Sequence, residues 1–304
     1  MLTVKILISI AEIFASFSVG ALSRGLGYIG EKELNSLSRL IVDILFPMTI
    51  FASITSNFKP EQAADLWILP LLGFGLMGFG YLAGFLLRLG LRRKTHERTI
   101  SFHHFCAVNN YVFLPLIVID NLWGQELIPL LFIMNIGSTI GVWTVGLLPF
   151  SSGNWKQALK NIVTPCQGAI ILALLFVFLG IPVPAVAMKI LKNIGSCSVP
   201  MMMIVIGAAI YGARRAMFTA RLDVVYLIIV RLLVIPGMCI GILKLLPLPV
   251  DIYRVVYVVA LMPVAASAAV FTRRFNGDPD FAGQAIVSTT LASAVTIPFM
   301  MLFL

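Results

Sequence analysis

The chain has 304 residues, 60% of them hydrophobic and only 12% charged, with a mean hydropathy of +1.00. These values exclude an ordinary water-soluble domain and place the chain among polytopic helical membrane proteins. In a soluble protein the net charge of +9 would point to nucleic acid; here the positive residues lie between apolar runs, where they set topology and meet anionic lipid headgroups.

At roughly 20 to 25 residues per span plus a short turn, about ten spans fill the length and leave no room for a soluble catalytic module. The first apolar run, Val4 to Leu22, is too long for a signal peptide, lacks an Ala-x-Ala cleavage site and carries Glu12 in its middle, so it reads as span 1. Span 2 is expected over Leu34 to Ile54, span 3 over Leu66 to Leu91, span 4 over Thr99 to Ile119 and span 5 over Leu127 to Phe150. Within span 3, Gly73, Gly75, Gly78, Gly80 and Gly84 read as close helix packing. A polar turn, SSGNWKQ, then separates two halves, 1–150 and 155–304, of one membrane domain covering 1–304. Span 6 is expected over Ala158 to Leu179, span 7 over Ala185 to Tyr211, span 8 over Val224 to Leu246, span 9 over Ile252 to Phe275 and span 10 over Phe281 to Phe303. Cys106, Cys166, Cys197 and Cys239 form no Cys-x-x-Cys pair and read as reduced thiols buried in apolar surroundings.

Spans 4 and 9 do not read as continuous helices. Span 4 contains CAVNNYVFLPLIV (106–118), in which two poor helix formers, Asn109 and Asn110, precede Pro115. Span 9 contains LMPVAASAAVFTRRFNGDPD (261–280), with Pro263 near its start. A break at membrane depth is tolerated only where protein covers it or where it lines a wet cavity, as in many transporter substrate sites. Pro47-Met48 in span 2 is echoed by Pro200-Met201 in span 7, each with a basic residue eight positions earlier, Arg39 and Lys192. Five spans is an odd number, so two such copies insert in opposite directions. The expected fold is therefore all-α: ten transmembrane helices in two inverted five-helix repeats, with helices 4 and 9 broken and crossing.

The candidate site follows from this pattern. The amides of Asn109 and Asn110 can bind a carboxylate or help hold a cation; capping the broken helix ends is the plainer role. Pro115 and Pro263 are expected to start the second half-helices, whose opposed N-termini make a positive site without a charged side chain; simple proline kinks are the competing account. Asp43 lies mid-span, four residues after Arg39 and four before Pro47, and reads either as half of a structural ion pair or as the carboxylate that carries a coupled proton. His103 and His104 lie about one turn into span 4; at most one faces a site, as a proton relay, and a solvated role near the interface competes. Asn135, with Ser138 and Thr139, can complete the site or bond between helices. Arg231 and Glu12 are intramembrane with no partner named by the sequence. Loops on one side hold fourteen of the 22 lysines and arginines, dominated by the cluster from Arg92 to Arg98, against six on the other, with Arg39 and Arg231 inside spans. The richer side is cytoplasmic, so both termini are expected to be non-cytoplasmic.

The Asn-bearing break and the Met262-Pro263 segment with its following Arg273-Arg274…Gly277-Asp278 resemble the auxin efflux carrier family of secondary transporters. Plant members carry Asn-Pro-Asn-Thr-Tyr in the fourth span; over 107–111 here only Asn109 and Tyr111 match its second Asn and its Tyr, and Val264 stands where many relatives have a polar residue. The resemblance implies a scaffold of spans 1, 2, 6 and 7 and a moving domain of spans 3–5 and 8–10. The candidate substrate site comprises Asn109, Asn110, Tyr111, Pro115, Asn135, Pro263 and Val264. The implied activity is secondary transport of a small organic anion, such as malate, malonate or an auxin-like acid, by an elevator-like shift. Asp43 and His103 are the candidates for proton coupling. Alternatives are a sodium-coupled symporter of the bile-acid-transporter fold and a membrane ligand sensor without net transport. No Gly-x-x-x-x-Gly-Lys loop, His-Glu-x-x-His motif or Gly-x-Ser-x-Gly elbow is present, so no enzyme activity, cofactor or metal is expected. The expected setting is the bacterial inner (plasma) membrane, with lipids, the anion and a proton or sodium ion as partners, and a homodimer as an expected assembly.

Overall fold

A computed structural model describes residues 2–58, 66–150, 164–212 and 222–304. The polar turn at 151–157, the start of the expected sixth span, and Lys59, Lys156, Lys160, Arg214, Arg215 and Arg221 lie outside the described residues. The described residues are all helical apart from turns and an isolated backbone bridge. Among the described residues, six segments are long and apolar enough to cross a membrane: Glu31–Asn57, Ile68–Gly90, Gln125–Phe150, Ala185–Gly212, Leu222–Leu243 and Pro279–Met301.

The helices are α1 (Leu2–Gly25), α2 (Glu31–Leu40), α3 (Phe46–Asn57), α4 (Ile68–Leu87), α5 (His96–Ala107), α6 (Phe113–Trp123), α7 (Ile128–Trp143) and α8 (Pro165–Phe178). They continue as α9 (Ala185–Gly195), α10 (Ser198–Gly212), α11 (Leu222–Ile229), α12 (Ile235–Leu243), α13 (Val250–Ala260), α14 (Ala268–Arg274) and α15 (Pro279–Met301). Several starts are written locally. The Thr95 hydroxyl accepts the Arg98 N–H at the head of α5, and the Asp278 carboxylate accepts the Phe281 N–H at the head of α15. Thr164 and Gln167 satisfy each other's backbone N–H groups around Pro165 at the head of α8.

Two widened π-turns join helices end to end, Ile41–Leu45 between α2 and α3 and Val230–Val234 between α11 and α12. Each stops two residues before a proline, Pro47 and Pro236. A proline cannot donate to the carbonyl four residues back and its ring crowds that carbonyl. A wider turn just upstream relieves the crowding and re-routes the bonds. Each π-turn also holds an intramembrane charge, Asp43 in the first and Arg231 in the second.

Packing sorts the helices into two sets. Within one set α1 lies along α10, and α3 along α8 and α9; within the other α4 lies against α5 and α7, and α15 against α11 and α14. Small residues allow the closest approaches. A Cβ on Gly137 would overlap the Pro70 carbonyl and one on Gly80 would overlap the Cys106 carbonyl, whereas Gly75 and Gly78 face open space. Gly73, Gly80 and Gly84 thus serve the expected packing role, and Gly75 and Gly78 do not. Between the sets, α3 touches α7 and α1 touches α6 and α15, with the Phe46 and Phe113 rings 5.1 Å apart.

Candidate functional site

Within the expected spans 4 and 9 the chain leaves helix geometry, over 108–112 between α5 and α6 and over 261–267 between α13 and α14. The two breaks meet. Asn109 and Val264 form an antiparallel bridge, the Asn110 N–H donates to the Pro263 carbonyl at 2.8 Å, and the Ala265 N–H reaches the Val108 carbonyl at 3.5 Å. Thr289 of α15 accepts the Val264 N–H at 3.3 Å. Backbone that would otherwise be orphaned in the membrane is satisfied by the other break.

The side chains divide the work between support and free valence. Asn109 donates from Nδ2 to the Val259 carbonyl at 2.5 Å, while its Oδ1 is buried without a partner. Asn110 accepts the Phe113 N–H on Oδ1 at 3.2 Å and so caps α6. Pro115 stands in the first turn of α6, where a missing N–H is harmless. Pro263 does not start a half-helix: α14 begins five residues later, and Pro263 serves the break through its carbonyl. Val264 contributes its backbone, its side chain being 1% exposed. Half-buried Tyr111 lies beside Thr139 of α7, whose hydroxyl donates to the Asn135 carbonyl at 2.8 Å. Both side-chain atoms of Asn135, 7% exposed, are buried without a partner. In α8, Cys166 is within electrostatic range of both Tyr111 and Asp43, and its thiol donates to the Val42 carbonyl at 3.4 Å. Tyr111, Thr139, Cys166 and Asp43 therefore fall in one neighbourhood between the two helix sets.

Asp43 itself is exposed, and neither it nor Arg39 makes an ion pair among the described residues, so the expected Arg39–Asp43 pair is absent. The helical spacing is interrupted by the π-turn, which rotates the i, i+4 register on which that pair relied. His103 and His104 are not solvated either. His103 is 3% exposed, hydrogen-bonds the Tyr81 carbonyl at 2.7 Å through Nε2, and packs on the Tyr81 ring. His104 is fully buried, bonds the Gly146 carbonyl at 2.6 Å through Nδ1, and sits among Phe105, Phe150 and Phe271. Carbonyls only accept, so both rings donate there, and His103 belongs to the α4–α5 contact rather than to the crossing. Glu12 is exposed on α1, Cys197 is exposed and Cys166 half-buried, which corrects the expectation that all four thiols are buried.

Arg231 was the residue whose role the sequence did not give. It is 3% exposed, and its guanidinium donates to the carbonyls of Met262 at 3.1 Å, Cys106 at 3.2 Å and Ala260 at 3.5 Å. Cys106 and Ala260 lie at the C-terminal ends of α5 and α13, so one side chain joins both half-helices at the crossing. Arg98 differs from expectation as well. It is not a loop charge but a 2% exposed residue of α5, paired with Asp223 at 3.3 Å and Asp278 at 2.9 Å. That removes one residue from the loop count. Asp278, from the Gly-Asp segment, is thus a clamp between α5 and α15.

A separate cleft of about 200 Å³ opens between α3, α9 and the turn before α7, lined by Thr49, Ser53, Asn57, Gln125, Lys192 and Ser196 among others. Lys192 is the one charged side chain among them, and Ala52, Ile128 and Leu191 line the same cleft.

A family described as membrane transport protein matches residues 5–301. An uncharacterised transporter of Methanothermobacter thermautotrophicus is 27% identical over 287 residues, 92% of each chain. An uncharacterised transporter of Methanocaldococcus jannaschii is 24% identical over 199 residues, 63% of this chain and 65% of its own length. With the match running over nearly its whole length, the chain belongs to the auxin efflux carrier family of membrane transport proteins.

Proposed function

We propose that the protein is a secondary active transporter of a small organic anion, a mono- or dicarboxylate such as malonate, held beside the meeting point of the two breaks. The observation that carries this reading is the unpaired buried amide of Asn135, whose Nδ2 can donate to a carboxylate. Unsatisfied buried polar atoms are costly, by about 1–3 kcal/mol each, and are retained where a ligand completes them. An amide N–H and the N-terminus of α6 offer donors to a carboxylate. In this reading the chain has ten spans in two inverted repeats. The set built on α1, α3, α8, α9 and α10 is the scaffold, and the other set moves against it. The polar cleft beside Lys192 is the approach to the site, and Asp43, exposed near Tyr111 and Cys166, carries the coupled proton.

Purified protein reconstituted in liposomes and given radiolabelled malonate tests this. Saturable uptake that rises with an imposed proton gradient is expected. Uptake driven only by a sodium gradient would replace the proton, and ligand-induced thermal stabilisation without any uptake would make the protein a sensor. In this reading both termini lie outside the cytoplasm. Single cysteines at positions 94 and 214, in a background without native cysteines, should then react with an impermeant thiol reagent only after permeabilisation. A cysteine appended after Leu304 should react in intact cells; the opposite pattern inverts the topology.

A further inference from the structure

Three half-helix ends converge where the breaks meet: the N-terminus of α6 and the C-termini of α5 and α13. Helix dipoles give the first partial positive and the other two partial negative character. Left alone, the carbonyl ends would offset much of the positive field that favours an anion. They would also form a set of inward-facing oxygens of the kind that holds a cation. Arg231 fills that place. Its three donors reach the Cys106, Ala260 and Met262 carbonyls, one from α5 and two from the α13 end, and no carboxylate pairs with it among the described residues. Cys106 and Cys239 are its ionisable neighbours, and both are thiols. Gly80 keeps α4 close enough to the Cys106 carbonyl that there is no room for a further group on that side. The π-turn Val230–Val234 sets the side chain on this line by shifting the register of the helix upstream of Pro236.

We propose that Arg231 is a tethered cation that occupies the carbonyl cage of the crossing, so that anion binding needs no metal cation there. The guanidinium is a permanent part of the protein and stays charged through the physiological range. It cancels the negative helix ends and leaves the α6 N-terminus and the Asn135 amide N–H to favour the substrate with a net positive field. This inference rests on the anion reading for its consequence, but the occupancy of the cage by a cation does not.

The test separates the two. Wild type, Arg231→Ala (cage vacated) and Arg231→Met (cage filled without charge) are purified in buffers of equal ionic strength containing sodium, potassium or N-methyl-D-glucamine. Without any anion, low-millimolar guanidinium should raise the melting temperature of Arg231→Ala by about 2 °C or more, through binding to the vacated cage, and leave wild type and Arg231→Met unmoved. With malonate as the probe, wild-type affinity should be the same in all three cations. Arg231→Ala should bind about tenfold or more weakly in N-methyl-D-glucamine, with recovery in guanidinium or sodium. Arg231→Lys, which keeps a tethered charge, should retain cation-independent binding and guards against failure of the alanine variant to fold. Sodium-dependent malonate binding by the wild type, or an Arg231→Ala protein that guanidinium does not stabilise, overturns the proposal. Guanidinium rescue of the melting temperature, with no malonate bound by any variant, sinks the anion reading alone.

Discussion

Arg98 and Arg231 are buried to the same degree, at 2% and 3% exposure, in the same set of helices, yet they meet opposite surroundings. Arg98 is fully answered: two carboxylates take its guanidinium, the Phe281 ring lies 4.5 Å below it, and the Asp223 carboxylate also accepts the N–H groups of Arg92 and Arg93. Arg231 is answered only by backbone carbonyls. Carbonyls satisfy its hydrogen bonds but return no formal charge, so the field of Arg231 survives at the crossing and that of Arg98 is neutralised where it arises. The lesson is that burial alone does not grade a membrane arginine. Its partners decide whether it holds helices together or supplies charge to a site.

The comparison is broken most forcefully at Arg98. Arg98→Met leaves Asp223 buried without its counter-ion, and one-sided loss of a buried pair typically costs about 3–5 kcal/mol. A large fall in melting temperature is expected, with part of it restored when Asp223→Asn is added. The clamp sits about 12 Å along α5 from the Cys106 end, at 1.5 Å per residue, so protein that remains folded should bind malonate with near wild-type affinity. A malonate affinity that falls in step with stability would show that the two arginines do not divide their tasks in this way.

A smaller effect is expected at Asn109. Replacing it with Ala removes the bond to the Val259 carbonyl and the free Oδ1 together, and loss of such a contact costs about 1–3 kcal/mol, roughly a five- to hundredfold loss of affinity. Titration calorimetry with malonate on folded Asn109→Ala measures it. Unchanged affinity would move the anion away from this break and toward Asn135.

Much of this arrangement was legible in the residues. The two breaks were visible because Asn and Pro are poor company for an apolar helix, and their meeting was expected from the echo between halves. The glycines of α4 were read as packing, and three of the five pack. What stayed hidden depended on distances across the fold. Nothing around Arg231 in sequence hints at Cys106, 125 residues away, or at carbonyls, which every residue has. The intramembrane arginine five residues before Pro236 was the available signal, since a proline frees backbone and widens the turn upstream. Arg98 was misread because it follows a run of loop charges, while its partners Asp223 and Asp278 are remote in sequence. Pairing Arg39 with Asp43 failed for a local reason, the π-turn that displaces the helical register between them.

Asp43 gives the smallest expected change in stability and the sharpest functional one. Asp43 has no ion pair to lose among the described residues, so Asp43→Asn should leave stability no lower than that of wild type. Had it been half of a buried pair with Arg39, the same change would cost several kcal/mol and adding Arg39→Gln would restore it. With no such pair present, the double variant should be no more stable than the single. Transport separates the remaining roles. Asparagine imitates a carboxyl that is always protonated, so a proton-coupling Asp43 predicts that malonate still exchanges across liposomes loaded with malonate on both sides. Net accumulation against a gradient, driven by an imposed pH difference, should disappear. The decisive pair of measurements is exchange and pH-driven uptake on the same preparation of Asp43→Asn. Loss of both would assign the carboxylate to the substrate path rather than to the proton, and retention of both would remove it from the mechanism and return the search to other titratable groups.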